Sequence, residues 1–397
     1  MTLASPLPQN EALPGFTSTN GMLKREKLPP IVKWAGGKSH ELKFILPAIP
    51  SNYESYYEPF VGGGAVFFAQ DAKKAFISDK SEELMRLYRF VREDDRSFFR
   101  TLGTINRKWR LIDDLAIEHR ATLITLYREF ASTNTDELAE QYSEKMLVAL
   151  SSDLAGLLAK PFRNPKESFF NEVVRNLKTK IARVRHLENK NSPFTDDELL
   201  QNLESAIRSA FYMHLRRLYN YAADWGLSQQ EIIGTFFFIR EFCYASMFRY
   251  NGNGHFNVPY GGLQYNKKDY LKKINRIRSD DYRAHLKRAE LSSIDFQEFL
   301  EKNRPTAKDF VFLDPPYDSE FSTYTLNTFG MDDQRRLANY LLEKCRAKFM
   351  LVIKATDLIH DLYEKSGLNI SGFDKRYLVS FQDRNDRRAR HLLITNY

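Results

Sequence analysis

The stretch Asp309-Phe310-Val311-Phe312-Leu313-Asp314-Pro315-Pro316-Tyr317 limits what this chain can fold into more than any other. Four apolar residues in a row leave no polar face, the pattern of a strand covered on both sides inside a parallel sheet. The run ends on an acid and two prolines. Proline has no N–H to extend a ladder and holds its own φ fixed, so the backbone must leave the sheet stiffly. In open α/β sheets the C-terminal ends of the strands are where ligands sit. There the Asp314 carboxylate and the Pro315 carbonyl can accept both hydrogens of an exocyclic amine, while the Tyr317 ring stacks on a flat heterocycle. A plain turn closing a core strand would use the same residues, so the assignment depends on the rest of the chain.

Two glycine-rich stretches supply the context. Lys33-Trp34-Ala35-Gly36-Gly37-Lys38-Ser39 resembles a phosphate loop at its end, but Val32 stands where that motif needs its first glycine. What remains is a flexed loop presenting the Trp34 ring, the Lys38 cation and open N–H groups, suited to a zwitterionic ligand with a carboxylate. Farther on, a Tyr-rich strand runs through Glu58-Pro59-Phe60-Val61 into Gly62-Gly63-Gly64 and then an apolar helix. Glycines there permit a tight turn and close ligand approach. Phe67 occupies the position of the third glycine of a dinucleotide fingerprint, which disfavours a nicotinamide site. A second strand, Lys74 to Ser78, ends at Asp79, placed to accept hydrogen bonds from ribose-like hydroxyls. Asp295 and Phe296 follow another short strand and are candidates to bracket an adenine.

Residues 1–27 show no periodicity and read as a disordered tail. From about Glu93 to Phe238 apolar residues recur at three and four, so the segment is helical, with a break around Pro161 to Pro165. Its basic residues, among them Arg216 and Arg217, fit solvated surface as well as a phosphate grip. Tyr244 to Gly262 reads as a hairpin, with Arg249, Tyr250 and His255 in a glycine- and asparagine-rich turn: Arg249, Tyr250 and Asn251 could enter a groove, where arginine reads guanine edges and an aromatic can wedge into a base step. Asp332 is the expected cap of a helix from Asp333 to Lys344. Tyr377 to Phe381 and His391 to Tyr397 read as paired strands joined by a loop whose Arg384, Arg387 and Arg388 suit phosphate contacts. A net charge of +8 favours a polyanionic partner. Cys243 and Cys345 have no metal-ligand spacing, so no metal site is expected and reduced thiols in the cytoplasm are. No apolar run has membrane-spanning length and no secretory leader stands at the N-terminus.

In combination and in this order, Lys33–Lys38, Glu58–Gly64, the Arg249-Tyr250-Asn251 … Phe256-Asn257-Val258-Pro259 segment and Asp314–Tyr317 resemble the Dam-type, alpha-class DNA adenine-N6 methyltransferases. The resemblance covers about 28–92 and 240–397. It implies an α/β fold: a Rossmann-like, doubly wound methyltransferase core, its cofactor half at 28–92 and its catalytic half at 286–397. Between them, at 93–285, would lie an inserted, largely helical target-recognition domain carrying the hairpin. It implies S-adenosyl-L-methionine held by Trp34, Lys38, Phe60, Gly62, Gly64, Asp79 and Asp314, with Asp314, Pro315, Pro316 and Tyr317 catalytic. Arg249 takes the position that reads guanine, and Tyr244 and Pro259 are further DNA-contacting positions. The expected partner is double-stranded DNA. A cognate restriction endonuclease or defence-system protein is left open, as is the oligomeric state. Ala245 and Met247 depart from Dam enzymes, so the target need not be GATC. Cytosine-N4 or RNA methylation, or a catalytically silent DNA-binding module, are the alternatives.

Overall fold

The computed structural model describes residues 27–34, 36–158, 166–247, 249–317, 329–364, 366–376 and 388–397. Seven strands form one sheet in the order β3-β2-β1-β4-β5-β7-β6. They are β1 Tyr56–Glu58, β2 Ala75–Ser78, β3 Ala289–Ser292, β4 Phe310–Leu313, β5 Lys348–Lys354, β6 Asn369–Arg376 and β7 Arg388–Thr395. The first five run parallel, while β7 is antiparallel to β5 and β6 to β7. The fold is α/β and Rossmann-like.

Side chains alternate across a strand, which explains why the Phe310–Leu313 run is apolar throughout. Phe310 and Phe312 enter the core on one face of the sheet, with Tyr56, Ile77 and Met350. Val311 and Leu313 enter the core on the other, with Tyr57, Phe76 and Leu351. All four are fully buried.

The helices are α1 Leu42–Ala48, α2 Ala65–Ala69, α3 Glu82–Glu93, α4 Arg96–Glu118, α5 Arg120–Ser132, α6 Ala139–Leu157 and α7 Lys166–Glu188. They continue with α8 Asp196–Asn220, α9 Gln229–Phe242, α10 Tyr270–Ile277, α11 Asp280–Lys287, α12 Phe296–Asn303, α13 Met331–Asn339 and α14 Asp357–Tyr363. Local chemistry sets several starts. The Ser81 hydroxyl accepts the Leu84 N–H at the head of α3, and Thr195 with Glu198 and Ser228 with Glu231 form capping boxes on α8 and α9. Helices fill most of the described part of the run expected after residue 93, and the break expected around Pro161 to Pro165 lies outside the described residues. The run lies in the chain between β2 and β3, which are neighbours in the sheet.

Two boundaries differ from expectation. The helix after the Tyr317 loop starts at Met331 with Gly330 at its cap, and the Asp333 carboxylate reaches back to the Gly330 N–H at 2.9 Å. Asp332 instead sits in the first turn, paired with Arg335. The capping carboxylate is therefore the one three residues inside, where the side chain can reach the free N–H. In the C-terminal hairpin, β7 pairs with Asn369–Arg376, Phe373 opposite His391. The expected strand residues 377–381 lie outside the described residues, as do 1–26 of the tail, Arg384 and Arg387. No helix among the described residues is long and apolar enough to cross a membrane.

Candidate active site at the rim of the sheet

Because β1 to β4 run parallel, Glu58, Ser78, Ser292 and Leu313 end at one rim, and the segments that follow them meet there. Asp314 leaves β4 with its Oδ1 2.5 Å from the Lys38 Nζ. Lys38 also donates to the Gly36 carbonyl at 2.8 Å and to the Tyr317 hydroxyl at 2.9 Å. Its side chain is only 2 % exposed against 18 % for Asp314, so the carboxylate, not the cation, faces outward. Burial disfavours the charged ammonium, but the Asp314 carboxylate and the Tyr317 hydroxyl outweigh it and hold Lys38 above the ordinary lysine range. The sequence suggested a lysine open to a ligand carboxylate. In the structure its ammonium bonds to Asp314 and Tyr317. The Tyr317 ring also packs beside the buried His391 of β7, centroids 5.4 Å apart. Gln334 of α13, fully buried, donates to the Pro316 carbonyl at 2.9 Å and fastens the turn from behind. Pro315 is buried and Pro316 exposed.

Beside this cluster lies the glycine turn after β1. Gly62 has φ +49° and its N–H donates to Asp79 Oδ2 at 3.0 Å, while the Ser81 N–H takes Oδ1 at 2.9 Å. A Cβ on Gly62 would stand 2.8 Å from Cδ1 of Trp34, so the indole packs where only glycine leaves room. Gly64, φ +78°, caps α2 with Phe68 and the Tyr88 hydroxyl too close for any side chain. Burial pushes the Asp79 carboxyl up to about 6, against the opposing pull of its two backbone donors. Glu58 is buried too and accepts the Tyr56 hydroxyl at 2.7 Å. Burial, with Asp314 and Asp79 nearby, pushes its carboxyl well above the usual range. Phe60 lies against Phe296 and Phe329, each at 5.5 Å. Asp295 caps α12 and pairs with Arg336 at 3.1 Å, its carboxylate a quarter exposed.

Trp34, Phe60, Gly62, Gly64, Asp79, Asp295 and Phe296 therefore share the rim with Asp314. A carboxylate held in place by two backbone N–H donors, a cradle that a Cβ would fill, and flanking aromatic rings fit a nucleoside-bearing ligand such as S-adenosyl-L-methionine.

The hairpin stands at the end of α9. Bridges at Cys243–Tyr260 and Tyr250–Phe256 join its arms. Asn251 builds the tip, its side-chain oxygen accepting the Asn253 and His255 N–H groups. Arg249 is half-buried, its Nε donating to Asn257 Oδ1 at 2.8 Å. Tyr244 and Pro259 are exposed, Met247 and Tyr250 half-buried. Arg388 belongs to β7, and its backbone pairs with that of Arg376.

Sequence reasoning missed what carries this hairpin. On α8, the Tyr212 hydroxyl and the Arg216 guanidinium both donate to the Val258 carbonyl, at 2.9 and 3.0 Å. One turn on, the Asn220 amide pairs with the backbone of Phe256 in both directions, at 2.9 Å each. Polar groups four residues apart along one face of α8 were the available signal.

Comparison with known proteins agrees with this geometry. The model of the D12 class N6 adenine-specific DNA methyltransferases matches residues 34–195 and 170–377. The type II methyltransferase M.CviBI of Paramecium bursaria Chlorella virus NC1A is 26 % identical over 376 residues, covering 93 % of this chain and 100 % of the relative. M.MjaIII of Methanocaldococcus jannaschii is 27 % identical over 392 residues, covering 94 % and 100 %. The retron Ec67 DNA adenine methylase of Escherichia coli is 26 % identical over 228 residues, covering 57 % of this chain and 71 % of the relative.

Proposed function

We propose residue roles for this chain from the premise that it belongs to the D12 class N6 adenine-specific DNA methyltransferases. Membership makes it an enzyme that methylates adenine N6 in DNA. In our reading the substrate is duplex DNA and the target adenine is turned out of the helix, since N6 is out of reach inside the stack. Extrusion costs a few kcal/mol, and stacking on Tyr317 offsets about 1–3 kcal/mol of it. The Asp314 carboxylate and the Pro315 carbonyl accept the two N6 hydrogens. That draws the nitrogen lone pair out of conjugation and aims it at the methyl donor, so positioning and electrostatics carry the rate. Lys38 keeps Asp314 pointed outward and holds the Tyr317 hydroxyl. S-adenosyl-L-methionine, when bound, supplies the methyl group on a sulfonium. Asp79 would accept its ribose hydroxyls, with Trp34, Phe60 and Phe296 along its sides. Asp295 sits at the same rim, although its carboxylate is already engaged by Arg336.

Residues 28–92 and 286–397 form the catalytic core in this reading and 93–285 the target-recognition part, with Arg249 reading a base and Tyr244, Met247, Tyr250, Asn251 and Pro259 around it. Relatives named type II methyltransferases favour a modification role, and we place the enzyme in the cytoplasm.

The observation that carries the reading is that Lys38, on the same loop as Trp34, binds Asp314 and Tyr317 from the end of β4, while Trp34 itself packs on Gly62. The test is methyl transfer from labelled donor to duplex DNA, followed by digestion to nucleosides. The label is expected in N6-methyl-2′-deoxyadenosine. Label in N4-methylcytosine, or in RNA alone, would replace this reading with another.

A further inference from the structure

One buried cation lies between the two functional regions. Arg240, at the last turn of α9, is fully buried. Its Nη1 donates to the Met247 carbonyl at 2.6 Å, and its Nη2 donates to the Ser246 carbonyl at 3.2 Å and the Lys33 carbonyl at 3.0 Å. Its guanidinium lies 5.5 Å from the Trp34 ring and 6.0 Å from the Phe256 ring. A single planar group thus ties the loop that holds Trp34 to the first arm of the hairpin. Guanidinium suits this, because its fixed fork binds several carbonyls at once and stays charged.

A second observation is independent of those contacts. Ala245 and Ser246, next to the carbonyls that Arg240 holds, have φ of 51° and 55°. Two successive non-glycine residues in the left-handed region are strained, and such backbone persists only where its surroundings fix it. The Tyr265 hydroxyl also holds this turn, accepting the Ala245 N–H at 3.2 Å, but of these two holds only Arg240 reaches the Trp34 loop, so a shift of the guanidinium gives the strained backbone a relaxed alternative.

We propose that Arg240 is a positioning residue that couples cofactor occupancy to the conformation of the DNA-reading hairpin. Packing of a ligand on Trp34 fixes the Lys33–Trp34 backbone and with it the guanidinium, which in turn holds residues 245–247 in their strained form. By reciprocity, DNA that selects this form tightens the cofactor site by the same factor. The inference rests on the proposed placement of cofactor and DNA.

The test uses the full chain, S-adenosylhomocysteine as an unreactive ligand, and a duplex carrying the site found by sequencing modified bases. Calorimetry with and without saturating duplex gives the coupling factor, expected in the wild type to be about 5- to 150-fold, the usual span. R240M should bring it to about 1. R240K keeps the charge but cannot span three carbonyls, and should retain less than half of the wild-type factor on a logarithmic scale. A merely structural role would weaken both ligands without changing the factor, and that result overturns the proposal. A second measurement needs no variant: in DNA-free wild type, S-adenosylhomocysteine should slow amide exchange across 243–250 at least several-fold. Unchanged exchange there overturns the proposal as well. A wild type that methylates adenine but shows a factor of 1 sinks the coupling alone, whereas one that transfers no methyl to adenine sinks the reading beneath it.

Discussion

Acidification should loosen the cofactor before it loosens the protein. Burial holds the Asp79 carboxyl at about 6 in the ligand-free site, against an ordinary 3.8. Hydroxyl donors favour the carboxylate, so ligand binding is to the deprotonated form and the apparent Kd scales as one plus ten to the power (6 − pH). Relative to pH 7.5, the Kd should be about twofold weaker at pH 6 and about elevenfold weaker at pH 5, the latter ~1.4 kcal/mol. Stability moves the other way. A carboxyl whose folded value is raised leaves the folded state binding more protons than the unfolded one between about 6 and 3.8, so this group adds stability as pH falls through that window. Lost affinity at pH 5 is then not unfolding driven by Asp79. The assay is calorimetric titration with S-adenosylhomocysteine at pH 7.5, 6 and 5, alongside Asp79→Asn. The variant should bind weakly at every pH, with the slope gone; this also separates Asp79 from buried Glu58, which stays in place. A wild-type Kd flat to pH 5, or an equal slope in the variant, would refute the assignment of Asp79 to the ligand.

Asp314→Asn keeps the shape but leaves Lys38 buried without its carboxylate; methyl transfer should fall about 100- to 1,000-fold, and wild-type turnover in a labelled-methyl assay would remove Asp314 from the chemistry. Tyr317→Ala should slow transfer more than Tyr317→Phe, which loses only the hydroxyl bond to Lys38; equal effects would mean that stacking contributes nothing. Gly62→Ala forces a side chain into the left-handed region, at about 1–2 kcal/mol, and drives a Cβ into Trp34. Its melting temperature and cofactor affinity should both drop, and wild-type affinity would show that the cradle is not used. Arg249→Ala should relax discrimination at one base pair by about 1–3 kcal/mol; uniform weakening on all duplexes would make it a phosphate contact.

The core of this fold is legible in the chain because its signals are local. A double-faced strand needs an unbroken apolar run, and Phe310–Leu313 is one. A ligand at a strand end needs glycine where backbone and indole crowd together, and Gly62 and Gly64 stand there with positive φ. What escaped the sequence is the destination of long polar side chains. Lys38 looked like an exposed cation because it follows two glycines, yet its stem folds inward to Asp314, which is 276 positions away. Arg216 fitted solvated surface as well as a phosphate grip and Arg240 carried no reading at all, because nothing in spacing says that carbonyls of a distant turn will surround them. The Asp332 expectation failed because two adjacent acids both satisfy the composition of a cap, and only backbone direction decides between them.

The point of insertion explains why the helical part and the rim behave as one body. The chain leaves the sheet after β2, just past Asp79, and returns in β3, the strand hydrogen-bonded to β2. Everything from α4 to α11 is thus anchored at both ends to one side of the sheet. One core cluster runs without a break from Phe310, Phe312 and Met350 in the strands to Leu203, Phe211 and Phe238 in the helices. The hairpin sits on this body through Tyr212, Arg216 and Asn220 behind and Arg240 at its base. Its distance from Asp314 is therefore set by packing. At the foot of the hairpin, Ala245 and Ser246 keep the strained backbone that this packing must hold in place.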